Sequence, residues 1–159
     1  MKSWVNMKNE VKISVFENWK LKNKFIYPNI TCKAGRTSLA KRIIDFSPEE
    51  AELWVVKYIA VWDDNSTPTE NDTTLNNEIA RVAITQASCT FTDNVVKVYA
   101  TFPVWTTLTI REAWLFIDST ATTSADSWKL LCHSAFWVTI SKTSIQAITI
   151  EWTIAILNS

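Results

Sequence analysis

Apolar and polar residues alternate with a period of two along most of this chain. The stretch "AITIEWTIAI" (147–156) is the plainest case. Ile148, Ile150, Trp152, Ile154 and Ile156 share one face, and Thr149, Glu151 and Thr153 share the other. A one-residue slip would bury Glu151, so this register is well determined. "KISVFENWKLKNKF" reads as two strands joined at Asn18-Trp19, with Val11, Ile13 and Val15 leading in and Leu21 leading out. Strand character is also predicted over "VVKYIAVW" (55–62), across 77–92, over 95–102 after a turn at Asp93-Asn94, and over 107–116 and 129–141. Two polar stretches, 63–74 and 118–127, separate these runs and read as long loops.

Helical spacing occurs in "RTSLAKRIIDF" (36–46), where Leu39, Ile43 and Phe46 recur on one face and Thr37 or Ser38 is the expected N-cap. "SPEEAEL" (47–53) resembles a further capped helical turn. Short antiparallel strands, two polar loops and a single helix predict a mainly β protein: an antiparallel β-sandwich with one short helix near residues 36–46. Residues 1–10 are expected to form an N-terminal extension, and residues 11–159 one domain. A chain of 159 residues is long enough for a sizeable core.

Charge excludes more than it suggests. Sixteen basic and sixteen acidic residues cancel, so no net field favours nucleic acid or an anionic membrane, and neither is expected as a partner. No apolar run reaches membrane-spanning length, and "MKSWVNMKNE" lacks the apolar core of a signal peptide, so synthesis in a cytoplasm is expected. Cys32, Cys89 and Cys132 are far apart and odd in number, which favours three reduced, buried thiols over a metal or redox site.

One imbalance changes the picture. The chain has one glycine, Gly35, where average usage of about 7% would give roughly eleven. It has nine tryptophans. Trp19, Trp62, Trp105 and Trp128 fall at turns or strand ends, where glycine is commonest. Trp114 and Trp137 lie next to or within strands, where glycine would mark a bulge or a close backbone approach, and Trp54 lies at the start of a strand. Trp19 is the sharpest case, because a two-residue turn after Glu17 asks for positive φ at both central positions. These seven positions are glycine-type. The expectation that follows is codon reassignment: a UGA codon meaning glycine, read by a table in which UGA means tryptophan.

With glycine at those positions, the chain resembles a broad group of small tailed-phage virion proteins over roughly residues 11–156. The motifs are "NEIARVAIT", "TFPVWTTLTIREAWLF" and "DSWKLLCHSAFWVTISKTSIQAITIEWTI", beside the group's runs like "N-E-[IV]-A-R", "I-R-E-A-G-L-F" and a closing "L-T-I-x-W-T-I". "ENWKLKNKFIYPNITCKAGRTSLAKRI" is similar to the group's opening hairpin, "N-x-[VI]-T-x-A-G" segment and helix. The resemblance implies a non-enzymatic structural component of a virion, in capsid decoration, tail or fibre. It also implies a homo-oligomer whose partners are other virion proteins, with no cofactor.

Catalytic constellations are not evident. His133 is the single histidine, and its neighbour Cys132 points to the other face of a strand, so the two cannot pair as base and nucleophile. Arg111 and Glu112 likewise face opposite ways. Asp63, Asp64, Glu70 and Asp72 lack the spacing of a calcium loop and read better as a solvated loop. Within the virion reading, Asp63, Asp64, Asn65, Glu70 and Asp72, with Asp118 and Asp126, mark two candidate interaction loops. The alternative from another class is a carbohydrate-binding module that stacks sugars on exposed indoles such as Trp62 and Trp105.

Overall fold

The computed structural model describes residues 5–37, 56–64, 66–73, 78–117 and 129–158. The strands are β1 (Val5–Glu17), β2 (Lys20–Pro28), β3 (Ile30–Thr31), β4 (Val56–Trp62), β5 (Glu78–Ala83), β6 (Cys89–Thr92), β7 (Val95–Phe102), β8 (Leu108–Ile117), β9 (Lys129–Lys142) and β10 (Gln146–Asn158). They form two five-stranded antiparallel sheets, in the orders β2-β1-β10-β7-β6 (sheet A) and β3-β9-β8-β4-β5 (sheet B). The protein is a mainly β sandwich, as the alternation predicts.

The alternating residues make the core between the sheets. Val11, Ile13 and Val15 of β1 and Ile148, Ile150 and Trp152 of β10 are buried in sheet A. They belong to one cluster with Ile59 and Val61 of β4 and Ile110, Ala113, Leu115 and Ile117 of β8. Pairing of Ile13 with Ile150 and of Lys12 with Glu151 sets the expected register of β10, which leaves Glu151 on the outer face. Ile156 pairs with Met7.

Sheet B is covered on both faces. Ala60 and Trp62 of β4, Trp114 and Phe116 of β8, Leu130 and Cys32 form a second buried cluster on the face away from sheet A. An irregularity in β8 and β9 sets this up: Ile110 faces Ile140 and Glu112 faces Ala135, so Arg111 lies opposite residues 136–139. That bulge shifts the alternation and turns Glu112, Trp114 and Phe116 outward.

Several expectations need correction. Residues 5–10, read as an extension, form the first half of β1 and pair with β10 from Val5↔Asn158 to Glu10↔Thr153. The run 77–92 is not one strand. It breaks after Ala83, passes through a 3-10 turn at Gln86–Ser88 and crosses from sheet B to sheet A as β6. The helix starts earlier than position 36, because residues 33–37 are already helical and the Arg36 N–H donates to the Cys32 carbonyl at 3.0 Å. Thr37 therefore lies inside the helical run and is not its cap. Residues 38–46 and the 47–53 turn lie outside the described residues.

Candidate functional site

Two features of the sandwich carry chemistry. The first is a charged cluster on the covered face of sheet B. Glu112 and His133 are both fully buried there. The Asp72 carboxylate, from the segment after β4, lies 2.9 Å from His133 Nδ1. On its other side, His133 Nε2 is 3.3 Å from Glu112 Oε2, within ion-pair distance but off the direction a hydrogen bond requires. Glu112 is satisfied elsewhere, since Ser66 Oγ donates to its Oε1 at 2.8 Å and Trp114 Nε1 donates to its Oε2 at 3.3 Å. The Trp114 ring stacks on His133 with centroids 4.0 Å apart.

Segment 66–73 is tied down along its length. Lys33 N–H donates to the Glu70 carbonyl at 2.7 Å, and Arg36 joins the Glu70 carboxylate at 2.5 Å. Thr69 donates to Asp72 through its N–H at 2.7 Å and its hydroxyl at 2.5 Å. Burial pushes the Asp72 carboxyl up, but the bonds from Thr69 and then His133 outweigh it, and its pKa lies below the ordinary value. Burial is also the main reason that the Cys32 thiol is pushed up to about 12, with the Asp72 charge adding to it.

The second feature is a groove of about 280 Å³ on the outer face of sheet A. Phe16, Asn18 and Trp19 line it from β1 and the β1–β2 turn, Thr101, Pro103 and Val104 from the end of β7, and Ile145 and Ala147 from the start of β10. Trp19 is 95% exposed and Ile145 61%. Trp105, 85% exposed, follows Val104 in the same turn, and its N–H donates to the Ser144 carbonyl at 2.7 Å.

The tryptophans singled out from the sequence divide into distinct groups. Trp19 has φ 63° and Trp105 φ 85°, the left-handed region that favours glycine. Asn18 precedes Trp19 with φ 49°, so both central residues of that turn are left-handed. Trp62 and Trp114 do not have positive φ, and both are buried. Trp137 sits in the β9 bulge, 80% exposed, with its ring edge-on to Tyr27. Trp54 and Trp128 lie outside the described residues.

The acidic loop positions also separate. Asp63 and Asp64 are exposed just after β4. Glu70 and Asp72 are engaged within the molecule, towards Arg36 and His133. Asn65, Asp118 and Asp126 lie outside the described residues. Trp62 cannot offer a stacking face to a sugar, because it is fully buried against Trp114 and Phe116. Among the described residues, no group of three or more His, Cys, Asp or Glu side chains is arranged to hold a metal ion, and no helix is long and apolar enough to cross a membrane.

Inspection of sequence neighbours alone misses the Asp72–His133–Glu112 arrangement, whose members come from three separate elements. One signal was present. Glu112 shares an i, i+2, i+4 face with Trp114 and Phe116, which places a carboxylate among large apolar rings. Comparison of the chain with family models, curated proteins and solved structures finds no match.

Proposed function

We propose that this chain is a non-enzymatic structural protein of a bacteriophage virion, acting through self-assembly and contacts with other virion proteins. The observation that carries the reading is the groove on sheet A. Phe16, Pro103, Val104, Ile145 and Ala147 come together there on a solvent-facing surface of a rigid sandwich, and this apolar lining remains with glycine at position 19. Apolar side chains gathered on one exposed face suit a subunit contact better than open solvent. The motif resemblance supports the virion as the place where that contact is made.

Glycine at positions 19 and 105 of the native protein belongs to the same reading, and the positive φ of both residues supports it. For Trp62, Trp114 and Trp137 that assignment rests on the motif resemblance or strand position, since the backbone there does not require glycine. Sequencing the gene tests it, and UGG codons at 19 and 105 would sink it. Mass spectrometry of purified particles tests the virion role, with this chain expected in multiple copies. A stable monomer with no affinity for any virion component would overturn it.

One observation favours carbohydrate binding as a second reading: the exposed indoles of Trp19 and Trp105 lie at the same end of sheet A. Glycan-array binding that is lost in Trp19→Ala and Trp105→Ala would support it. An array without signal would exclude it for the glycans displayed.

A further inference from the structure

Two apolar features lie at opposite ends of β7. Thr101, near the end of the strand, and Pro103 and Val104 just past it line the groove on sheet A. At the start of the strand, Val96 pairs with Phe91 of the edge strand β6, and Phe91 is 72% exposed. About 20 Å of strand separates the two features, at about 3.4 Å per residue. An exposed ring and an apolar groove at that separation cannot meet within one molecule, only between copies.

Charge divides the two ends in a complementary sense. Around the turns that carry the groove, Lys20, Lys22 and Lys142 stand against one carboxylate, Glu17, which is already engaged by Lys22 and Gln146. Lys142 is buried, and its amine donates to the carbonyl and hydroxyl of Thr106 and to the Thr143 carbonyl, all neutral acceptors. Lys20 is exposed beside the groove residue at position 19. At the other end, Asp93 is exposed in the β6–β7 turn, two residues after Phe91. Neither Lys20 nor Asp93 has an ion-pair partner among the described residues.

We infer that the occupant of the groove is Phe91 of a second copy of this chain, with Asp93 of that copy set against Lys20 of the copy that receives it. The inference rests on the self-assembly in the proposed function and gives it a direction. Ring and groove are different surfaces, so the contact is head-to-tail and passes from copy to copy. An aromatic side chain buries about 150–250 Å², against about 1,200 Å² or more for a stable pair. A single contact is therefore weak. A closed ring holds every copy by two such contacts at once, which offsets the smallness of either.

Sedimentation of the full chain at concentrations up to about 1 mM tests this. Phe91→Ser and Ile145→Asp should each weaken self-association at least about tenfold. Both positions are exposed, so the fold is kept. Mixed one to one at the upper concentrations, these two variants should form a dimer and stop, because one keeps an intact groove and the other an intact Phe91. Lys20→Glu and Asp93→Lys should each weaken association, and the two together should restore it. Association unchanged in Phe91→Ser and Ile145→Asp, a mixture that stays monomeric, or a double charge variant without rescue would overturn this contact and leave self-assembly standing. A wild-type chain that stays monomeric throughout, and joins no virion component, would overturn both.

Discussion

A Cβ atom on Gly35 would lie 2.7 Å from the Leu131 carbonyl oxygen and 2.8 Å from the Leu131 Cα. The chain's only glycine thus sits where the helical turn presses against the backbone of β9, and its φ is not positive. Gly35→Ala would gain roughly 0.5–1 kcal/mol of helix propensity. The clash is with backbone, which cannot move aside as a side chain can, and overpacking of this kind costs about 1–3 kcal/mol. Net destabilisation is expected, read as a lower midpoint in urea with an unchanged slope.

The opposite substitution should help at Trp19 and Trp105. A left-handed backbone costs a residue with a Cβ about 1–2 kcal/mol, against roughly 0.5–1 kcal/mol of entropy for glycine. Trp19 is 95% exposed, so little burial is lost with the ring. Trp19→Gly and Trp105→Gly should each stabilise by up to about 1 kcal/mol. Trp19→Ala keeps the Cβ and should gain nothing, which separates backbone strain from ring exposure in a thermal melt.

Trp62→Gly and Trp114→Gly should do the reverse. Both rings are fully buried in one cluster, and emptying that space costs about 3–5 kcal/mol in the fold described. Denaturant titration of the two variants measures it. UGA codons at these positions would mean that other groups fill the covered face of sheet B.

Thiol reactivity should follow burial. Cys32 and Cys132 are buried, and desolvation holds both thiols well above their ordinary range, to about 12 for Cys32. Cys89 is only partly buried and is raised by the same cause. Iodoacetamide at neutral pH should label Cys89 first, and reach the other two only on unfolding. Equal labelling of all three in the folded protein would contradict the buried positions.

Glu151 provides a surface pH dependence. Burial raises its carboxyl, but the bond and charge from Lys12, followed by Lys97, outweigh that and lower the pKa. A depressed carboxylate contributes stability above its unfolded pKa and loses it as the pH falls through the folded value. Glu151→Gln should therefore cost about 1 kcal/mol or less at neutral pH, and the difference should vanish in strong acid. Stability measured across the acid range checks both limits.

The hairpin at Asn18-Trp19 and the buried face of β10 were legible because both depend on neighbours in the chain. A period of two places Ile148, Ile150 and Trp152 on one side whatever lies opposite, and a two-residue turn imposes its own φ. The amino-acid sequence by itself determined the sandwich class, most strand positions and the left-handed turn at Trp19. Tertiary structure alone decided where Glu112, His133 and Asp72 meet, because the β8–β9 bulge resets which residues face outward. It decided equally that Trp62 and Trp114 are buried, since that requires a covered outer face on sheet B. Alternation specifies two faces of a strand, but which face is covered depends on segments distant in the chain, and no local pattern encodes that choice.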